Sequence, residues 1–192
     1  VLGYQNKLGE LRSQDGILHR WAGSHWELVD QAAMMEFVSN RYIECPVMKR
    51  NSDSTGVWKE MLILANGHIR TDHRPCINVA NGVVLYDGTL VDHDPEFGAT
   101  YVLPYRYTEG AKCPNFLKFL GDCWGQDPDY KDKVTALQQA LCATLLGYAP
   151  RFQRAFLLIG KAKTGKSVLL KIIGGLFPDA ARASVSFSQL QD

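Results

Sequence analysis

The chain has 192 residues, of which 46% are hydrophobic, and its formal net charge is +1. This length and composition indicate a globular protein with room for one or two domains. No apolar run approaches the ~20 residues of a membrane helix, and the N-terminal residues lack the apolar core of a secretory signal. The five cysteines are an odd number and are scattered singly along the sequence, without CxxC motifs, which argues against a disulfide framework. We therefore expect a soluble protein of the cytoplasm with no membrane partner.

The charge is unevenly distributed along the chain. Residues 1–150 contain 14 Lys and Arg against 18 Asp and Glu, whereas residues 151–192 contain seven against two. A local positive field of this size suits a polyanion, such as a nucleotide or a nucleic acid backbone. A solvated basic surface is the alternative interpretation of the same charges.

The first third of the chain is predicted to form a hairpin followed by two helices. Asp15-Gly16 and Gly23 bracket a short β-hairpin at residues 17–29, which two tryptophans would pack. Apolar positions near helical spacing predict one helix from residue 30 to about 44. A second helix is predicted from Ser54 or Thr55 to a stop at Asn66-Gly67.

The pattern then changes to strands before it returns to helices. Apolar runs flank Asp87-Gly88 within residues 77–94 and predict a hairpin with a type I′ turn. Residues 100–108 are predicted to add a strand, and their proline places it at the edge of the sheet because it excludes a central position. Pro114 predicts the first turn of a helix, and Asp127-Pro128 predicts the start of another that ends near residue 148.

Residues 160–167, GKAKTGKS, fit the pattern G-x-x-x-x-G-K-[ST] of a phosphate-binding loop at every fixed position. Gly160 and Gly165 would let the backbone curl so that successive amides point into one concavity. Lys166 would reach the β- and γ-phosphates of ATP, and the Ser167 hydroxyl group would bind Mg²⁺. The residues predicted to bind the nucleotide are Gly160, Lys161, Ala162, Lys163, Thr164, Gly165, Lys166, Ser167 and Val168.

The flanking sequence favours this interpretation. The apolar run at 155–159 is typical of a central parallel strand, and the apolar segment 168–177 is predicted to be a helix that ends at Pro178. A glycine-rich turn without a ligand is the alternative. The sequence therefore predicts an α+β module at residues 1–150, with helices and β-hairpins, followed at 151–192 by the first strand, loop and helix of an α/β P-loop NTPase domain.

Hydrolysis of ATP needs groups beyond the loop, namely an acidic residue on a neighbouring strand and a group that orients water. After Ser167 the carboxylates are Asp179, in a turn, and Asp192. We therefore predict no catalytic residue in this chain, and we expect that the chain alone does not turn over ATP although its parent protein does.

Several motifs occur in an order that resembles the primase-helicase proteins of phages, plasmids and satellite elements, the group that includes the poxvirus nucleoside triphosphatase. The resemblance covers about residues 15–180 and is strongest from residue 77 onward. The matching positions outside the loop are Asn78, Asn81, Gly82, Gly88, Leu90, His93, Asp94, Pro95, Leu103, Pro104, Tyr107, Gly147 and Tyr148.

This resemblance implies a superfamily 3 replicative DNA helicase of a phage, plasmid or mobile genetic element, acting in the cytoplasm of a bacterial host cell. In such a helicase an AAA+-like ATPase forms a hexameric ring, binds single-stranded or forked DNA and unwinds duplex DNA. It implies that residues 1–150 form the helicase-associated domain and that a primase domain or partner accompanies the motor. By residue, it carries over only Lys166 for phosphate and Ser167 for Mg²⁺. The Walker B residue, the sensor and the arginine finger would lie past Asp192.

Two other classes of function are compatible with parts of the sequence. The chain is alternatively a non-enzymatic adaptor for DNA binding or oligomerisation, and tyrosines that alternate around Arg106 would then stack on unpaired bases. A small P-loop kinase or GTPase is disfavoured because those folds place the loop near the start of a long domain.

Overall fold

The computed structural model describes residues 10–42, 51–72, 74–153, 156–161 and 164–183, which form two three-stranded antiparallel sheets and five α-helices. The strands are β1 Leu11–Gln14, β2 Ile17–Trp21, β3 Trp26–Leu28, β4 Cys76–Val79, β5 Gly82–Leu85 and β6 Leu90–Val91. The helices are α1 Gln31–Tyr42, α2 Asn51–Leu64, α3 Pro114–Trp124, α4 Tyr130–Leu145 and α5 Lys166–Gly175. Two short 3-10 turns lie at Ala149–Phe152 and Asp179–Ala181.

The described residues divide into two units. The first contains those up to Arg74 together with His93–Val102, and the second contains Pro75–Asp92 together with those from Leu103 onward. The first unit therefore includes the sheet β1–β3 with α1 and α2. The second includes the sheet β4–β6, the helices α3 and α4, and α5.

The sheet of the first unit begins one strand earlier than the sequence predicts. The β2–β3 hairpin is confirmed, but β1 was missed because it buries Ser13 beside Leu11 and so lacks an apolar alternation. The turn between β1 and β2 is Asp15-Gly16, and both residues have positive φ, 54° and 76°. That combination is what a type I′ hairpin turn requires, and it is found with Asp-Gly in many hairpins.

Trp26 holds the core of the first unit together. Its side chain is 1% exposed and its indole Nε1 donates a hydrogen bond to the carbonyl oxygen of Pro95 at 2.9 Å. Its backbone amide donates to the carbonyl oxygen of Ala99 at 2.7 Å, and the Arg12 guanidinium lies 5.1 Å from its ring centroid. Segment 93–102 is thereby fixed to β3 by both the side chain and the backbone of one residue.

In the second unit β5 is the central strand and all four of its residues are buried. The predicted hairpin between β5 and β6 is confirmed, but the predicted turn type is wrong. Only Gly88 has positive φ there, 88°, and residues 86–88 form a three-residue loop in which the Gly88 amide bonds the Leu85 carbonyl. The Asp87 carboxylate accepts from the Thr89 amide at 2.9 Å, which stabilises Asp87 with ordinary negative φ.

The predicted edge strand at 100–108 is wrong, since the structure has only one bridge there, between Leu103 and Val79 in parallel orientation. The Leu103 amide donates to the carbonyl of Asn78, and the Ala80 amide donates to the carbonyl of Tyr105. These two hydrogen bonds join the segment to β4 and the residue after it, on both sides of Pro104, without forming a regular strand.

The two predicted helices after this segment are confirmed as α3 and α4. Pro114 occupies the first turn of α3, where its missing amide hydrogen costs nothing. The helix α4 begins three residues later than Asp127, after a backbone turn in which the Tyr130 amide donates to the Asp127 carbonyl oxygen. Lys133 in its first turn binds the carboxylates of Asp127 and Asp129 at 2.7 and 2.9 Å. The hydrogen bond from Lys133 lowers the pKa of Asp129.

The apolar run at 155–159 is not a strand in the structure. Residues 156–160 have no regular secondary structure and are all exposed, and Ala155 lies outside the described residues. A central parallel strand needs hydrogen-bonded neighbours, and no described segment pairs with these residues. The α+β class is thus confirmed for the described residues, whereas the α/β P-loop domain stays a prediction. None of the described helices has the length and apolarity to cross a membrane.

Leu18 and Ile17 are adjacent on β2 and give a matched pair for testing this core. Leu18 is 1% exposed and Ile17 is 51% exposed. Leu18→Ala should lower the free energy of unfolding by about 2–5 kcal/mol because it leaves a cavity. Ile17→Ala should change it by about 0.5 kcal/mol or less. Urea denaturation followed by tryptophan fluorescence measures both, and equal effects of the two variants would contradict the burial of Leu18.

Candidate phosphate-binding site

The candidate loop ends at a helix N-terminus of defined geometry. Gly165 is the N-cap of α5 and has left-handed backbone angles, with φ 80°. Its carbonyl oxygen accepts the first helical hydrogen bond, from the Leu169 amide at 2.9 Å. Among the described residues, the amides at positions 166–168 have no acceptor, as expected for the first turn of a helix. These amides and the positive end of the helix dipole favour an anion.

The Lys166 side chain folds back over the loop. Its ammonium group donates hydrogen bonds to the carbonyl oxygens of Gly160 at 2.9 Å and Lys161 at 2.5 Å, and it contacts the Thr164 hydroxyl at 3.1 Å. The Thr164 hydroxyl in turn donates to the Lys161 carbonyl at 2.9 Å. The loop backbone therefore curls around one positive charge that lies at the N-terminus of α5.

The two loop glycines have different roles. A Cβ atom at Gly165 would lie 2.5 Å from the Cys123 sulfur and 3.3 Å from the Phe119 ring, in addition to the strain of its positive φ. Gly160 has no positive φ, and among the described residues a Cβ atom there would lie 3.4 Å from the Thr164 hydroxyl oxygen. The backbone angle and the packing thus both favour glycine at Gly165, whereas the expectation that Gly160 is also needed for the curl stays a prediction.

The structure describes seven of the nine residues predicted to bind nucleotide. Lys166 and Gly165 lie at the start of α5, and Ser167 and Val168 follow in its first turn, both exposed. Ala162 and Lys163 lie outside the described residues. The described loop residues thus lie together at one end of one helix, and their role in binding stays a prediction.

Sequence reasoning missed the residues that support this helix. Phe119 and Cys123 lie on one side of α3 and contact Gly165, and they line a small cavity with Leu169. At the other end of α5, the Tyr105 hydroxyl donates a hydrogen bond to the carbonyl oxygen of Gly175. No spacing rule relates these positions to the loop, because both contacts depend on tertiary packing.

A second depression on the protein surface is a weaker candidate. In the first unit it is lined by Thr71, Asp72, Arg74 and Glu96. Arg74 binds Asp72 through both its Nε and its Nη2 atoms, and these hydrogen bonds lower the pKa of the Asp72 carboxyl group. The opposite charges of Arg74 and Asp72 already neutralise each other. This depression therefore offers a charged ligand less electrostatic attraction than the loop does.

The N-terminal two thirds of the chain match a known protein family. The model of the family described as D5 N terminal like matches residues 4–125. The chain belongs to the D5 N-terminal-like family. This family is the N-terminal region of phage and viral primase-helicase proteins, so the resemblance predicted from the motifs is confirmed to that extent. No curated protein matches the chain significantly.

The D5 N-terminal-like match ends at residue 125, well before the loop begins at residue 160, but the matched region contacts the end of the loop in space. The family match includes α3, whose Phe119 and Cys123 pack against Gly165. It does not include residues 126–192, which carry the loop itself. Family membership therefore supports a role in replication and does not extend to the helicase motor.

Gly165 gives a direct test of the loop geometry. Gly165→Ala should lower the free energy of unfolding by about 1–3 kcal/mol from the left-handed backbone alone, with a further loss from overlap with Cys123. Combining it with Cys123→Ala should recover the part due to overlap. Urea denaturation followed by circular dichroism measures each variant.

Gly175→Ala on the same helix is the matched control for Gly165→Ala. A Cβ atom at Gly175 would meet no atom within 4 Å, and its φ is not positive. This variant should be as stable as the wild type or slightly more stable. A Gly165→Ala variant with wild-type stability would show that the loop does not have this conformation.

Proposed function

We propose that this chain is part of an ATP-driven replicative DNA helicase of the primase-helicase type, and that its loop at 160–168 binds the phosphates of MgATP. The parent protein would use ATP hydrolysis to unwind DNA as a homo-oligomeric ring, together with a primase domain or partner. Membership of the D5 N-terminal-like family supports the replication role. The sequence pattern of the loop supports the proposal that it binds a nucleotide.

The observation that carries the proposal is the curl of the loop around Lys166 at the start of α5. An ammonium group held by the Gly160 and Lys161 carbonyls lies beside the helix N-terminus, so fixed charge and helix dipole act at the same place. A β- or γ-phosphate would replace part of these contacts, in which only the donor is charged, with hydrogen bonds in which donor and acceptor carry opposite charges.

Ser167 is the residue proposed to bind Mg²⁺. It is exposed in the first turn of α5, directly after Lys166, so its hydroxyl oxygen is available to a cation that bridges two phosphates. No group of three or more His, Cys, Asp or Glu side chains suited to a metal ion occurs among the described residues. In this proposal the metal therefore arrives with the nucleotide, and the protein contributes one hydroxyl ligand.

Lys166→Ala tests the phosphate contact. At a MgATP concentration 100 times its dissociation constant, the wild-type chain should gain about 2.7 kcal/mol of stability, seen as a higher melting temperature. Lys166→Ala should abolish the gain. Lys171→Ala, which removes an exposed lysine further along the same helix, should retain it. A wild-type melting temperature that does not respond to MgATP would refute the proposal.

Ser167→Ala tests the metal contact separately. The wild-type chain should bind ATP more tightly with Mg²⁺ than with EDTA, because the cation bridges the phosphates and the hydroxyl group. Ser167→Ala should bind ATP in EDTA as the wild type does and lose the gain from Mg²⁺. Isothermal titration calorimetry measures the four affinities, and an undiminished Mg²⁺ effect in the variant would exclude Ser167 as a ligand.

One observation favours the second candidate function, an adaptor for DNA binding or oligomerisation. Residues 156–159 are apolar and exposed, as expected of a surface that another chain covers. If ATP has no effect while single-stranded DNA binds with a steep dependence on salt concentration, the adaptor replaces the ATPase as the better proposal.

A further inference from the structure

The C-terminal end of α5 is bonded to a segment that precedes it by two helices. The Tyr105 hydroxyl donates a hydrogen bond to the carbonyl oxygen of Gly175, the last residue of α5. The last four carbonyl groups of a helix have no partner within the helix. Those of Ile173 and Gly174 accept the amides of Leu176 and Phe177, whereas that of Gly175 accepts the tyrosine.

The segment that carries Tyr105 is itself fixed to the sheet β4–β6. The Asn81 side chain accepts a hydrogen bond from the Tyr107 amide at 2.7 Å and donates one to the Tyr107 carbonyl at 3.1 Å. The Tyr105 carbonyl accepts the Ala80 amide at 2.9 Å. Because these bonds hold the backbone on both sides of Arg106, Tyr105 is anchored where it meets α5.

Among the described residues, the helix α5 has few other attachments. Leu169 is its one buried residue, 1% exposed, and Val168 and Leu170 on either side are exposed. Its N-terminal end rests on α3 through Gly165. The contacts at the two ends therefore do most to fix the position of the helix.

We propose that Tyr105 is a positioning residue for nucleotide binding: it holds the C-terminal end of α5, and so it keeps the N-terminal end of that helix where phosphate meets the loop. This proposal rests on the proposed function of the loop. It predicts that nucleotide affinity depends on a hydroxyl group that does not touch the nucleotide.

Tyr105→Phe removes that hydroxyl group alone and is the test. The exchange of backbone amides at residues 172–178, measured by mass spectrometry without nucleotide, should become about two- to tenfold faster, and the dissociation constant for MgATP should rise by a similar factor, as expected for one neutral hydrogen bond. Tyr86→Phe is the matched control, because Tyr86 belongs to the same unit and is 71% exposed. It should change neither quantity.

The outcomes distinguish a failure of the positioning role of Tyr105 from a failure of the proposed phosphate-binding site. Unchanged exchange at 172–178 in Tyr105→Phe overturns the proposal. Faster exchange with unchanged MgATP affinity also overturns it, since the bond would then stabilise the helix end without positioning the loop. Failure of the proposed function looks different, because wild-type protein, Tyr105→Phe and Lys166→Ala would then all fail to bind MgATP.

Discussion

The candidate site depends on the absence of a side chain at Gly165. This residue turns the chain into α5 with a left-handed backbone, and it does so in contact with Phe119 and Cys123 of α3. A residue with a Cβ atom would have to change both the backbone angle and the packing. A Cβ atom at position 165 is therefore excluded for two independent reasons. The close approach of the N-terminus of α5 to α3 depends on the absence of that atom.

The support of α5 explains how an otherwise exposed helix keeps a defined place. Its N-terminal end rests on α3, Leu169 is buried, and its C-terminal end is bonded to Tyr105. Two of these three supports come from the D5 N-terminal-like region, residues 4–125. Within the second unit, α5 therefore depends on contacts with residues of that region, even though the loop pattern is recognisable from eight residues alone. The domain boundary predicted near residue 150 stays a prediction.

The sequence predicted the secondary-structure elements that short-range sequence patterns determine. Helices α3 and α5 follow from apolar spacing, a proline in the first turn of one and a glycine before the other. Prediction from the sequence failed where another contact in the structure overrode the local sequence signal. Asp87-Gly88 has the composition of a type I′ turn, but the Asp87 carboxylate binds the Thr89 amide and the backbone adopts a different loop. The strand β1 escaped notice because its inward face includes Ser13, which forms backbone hydrogen bonds with Ala65 and Gly67.

Of the site, the sequence predicted the loop residues but not what holds them in place. Phe119, Cys123 and Tyr105 approach α5 only through tertiary packing, and no spacing in the sequence links them to Gly165 or Gly175. Conversely, the apolar run before the loop was predicted as a strand, although strand formation depends on partners that lie elsewhere in a chain. The described residues provide no such partner for 156–160, yet the loop is curled and α5 is formed. Among the described residues, the contacts observed at this turn are the Lys166 hydrogen bonds and the packing of Gly165 on α3.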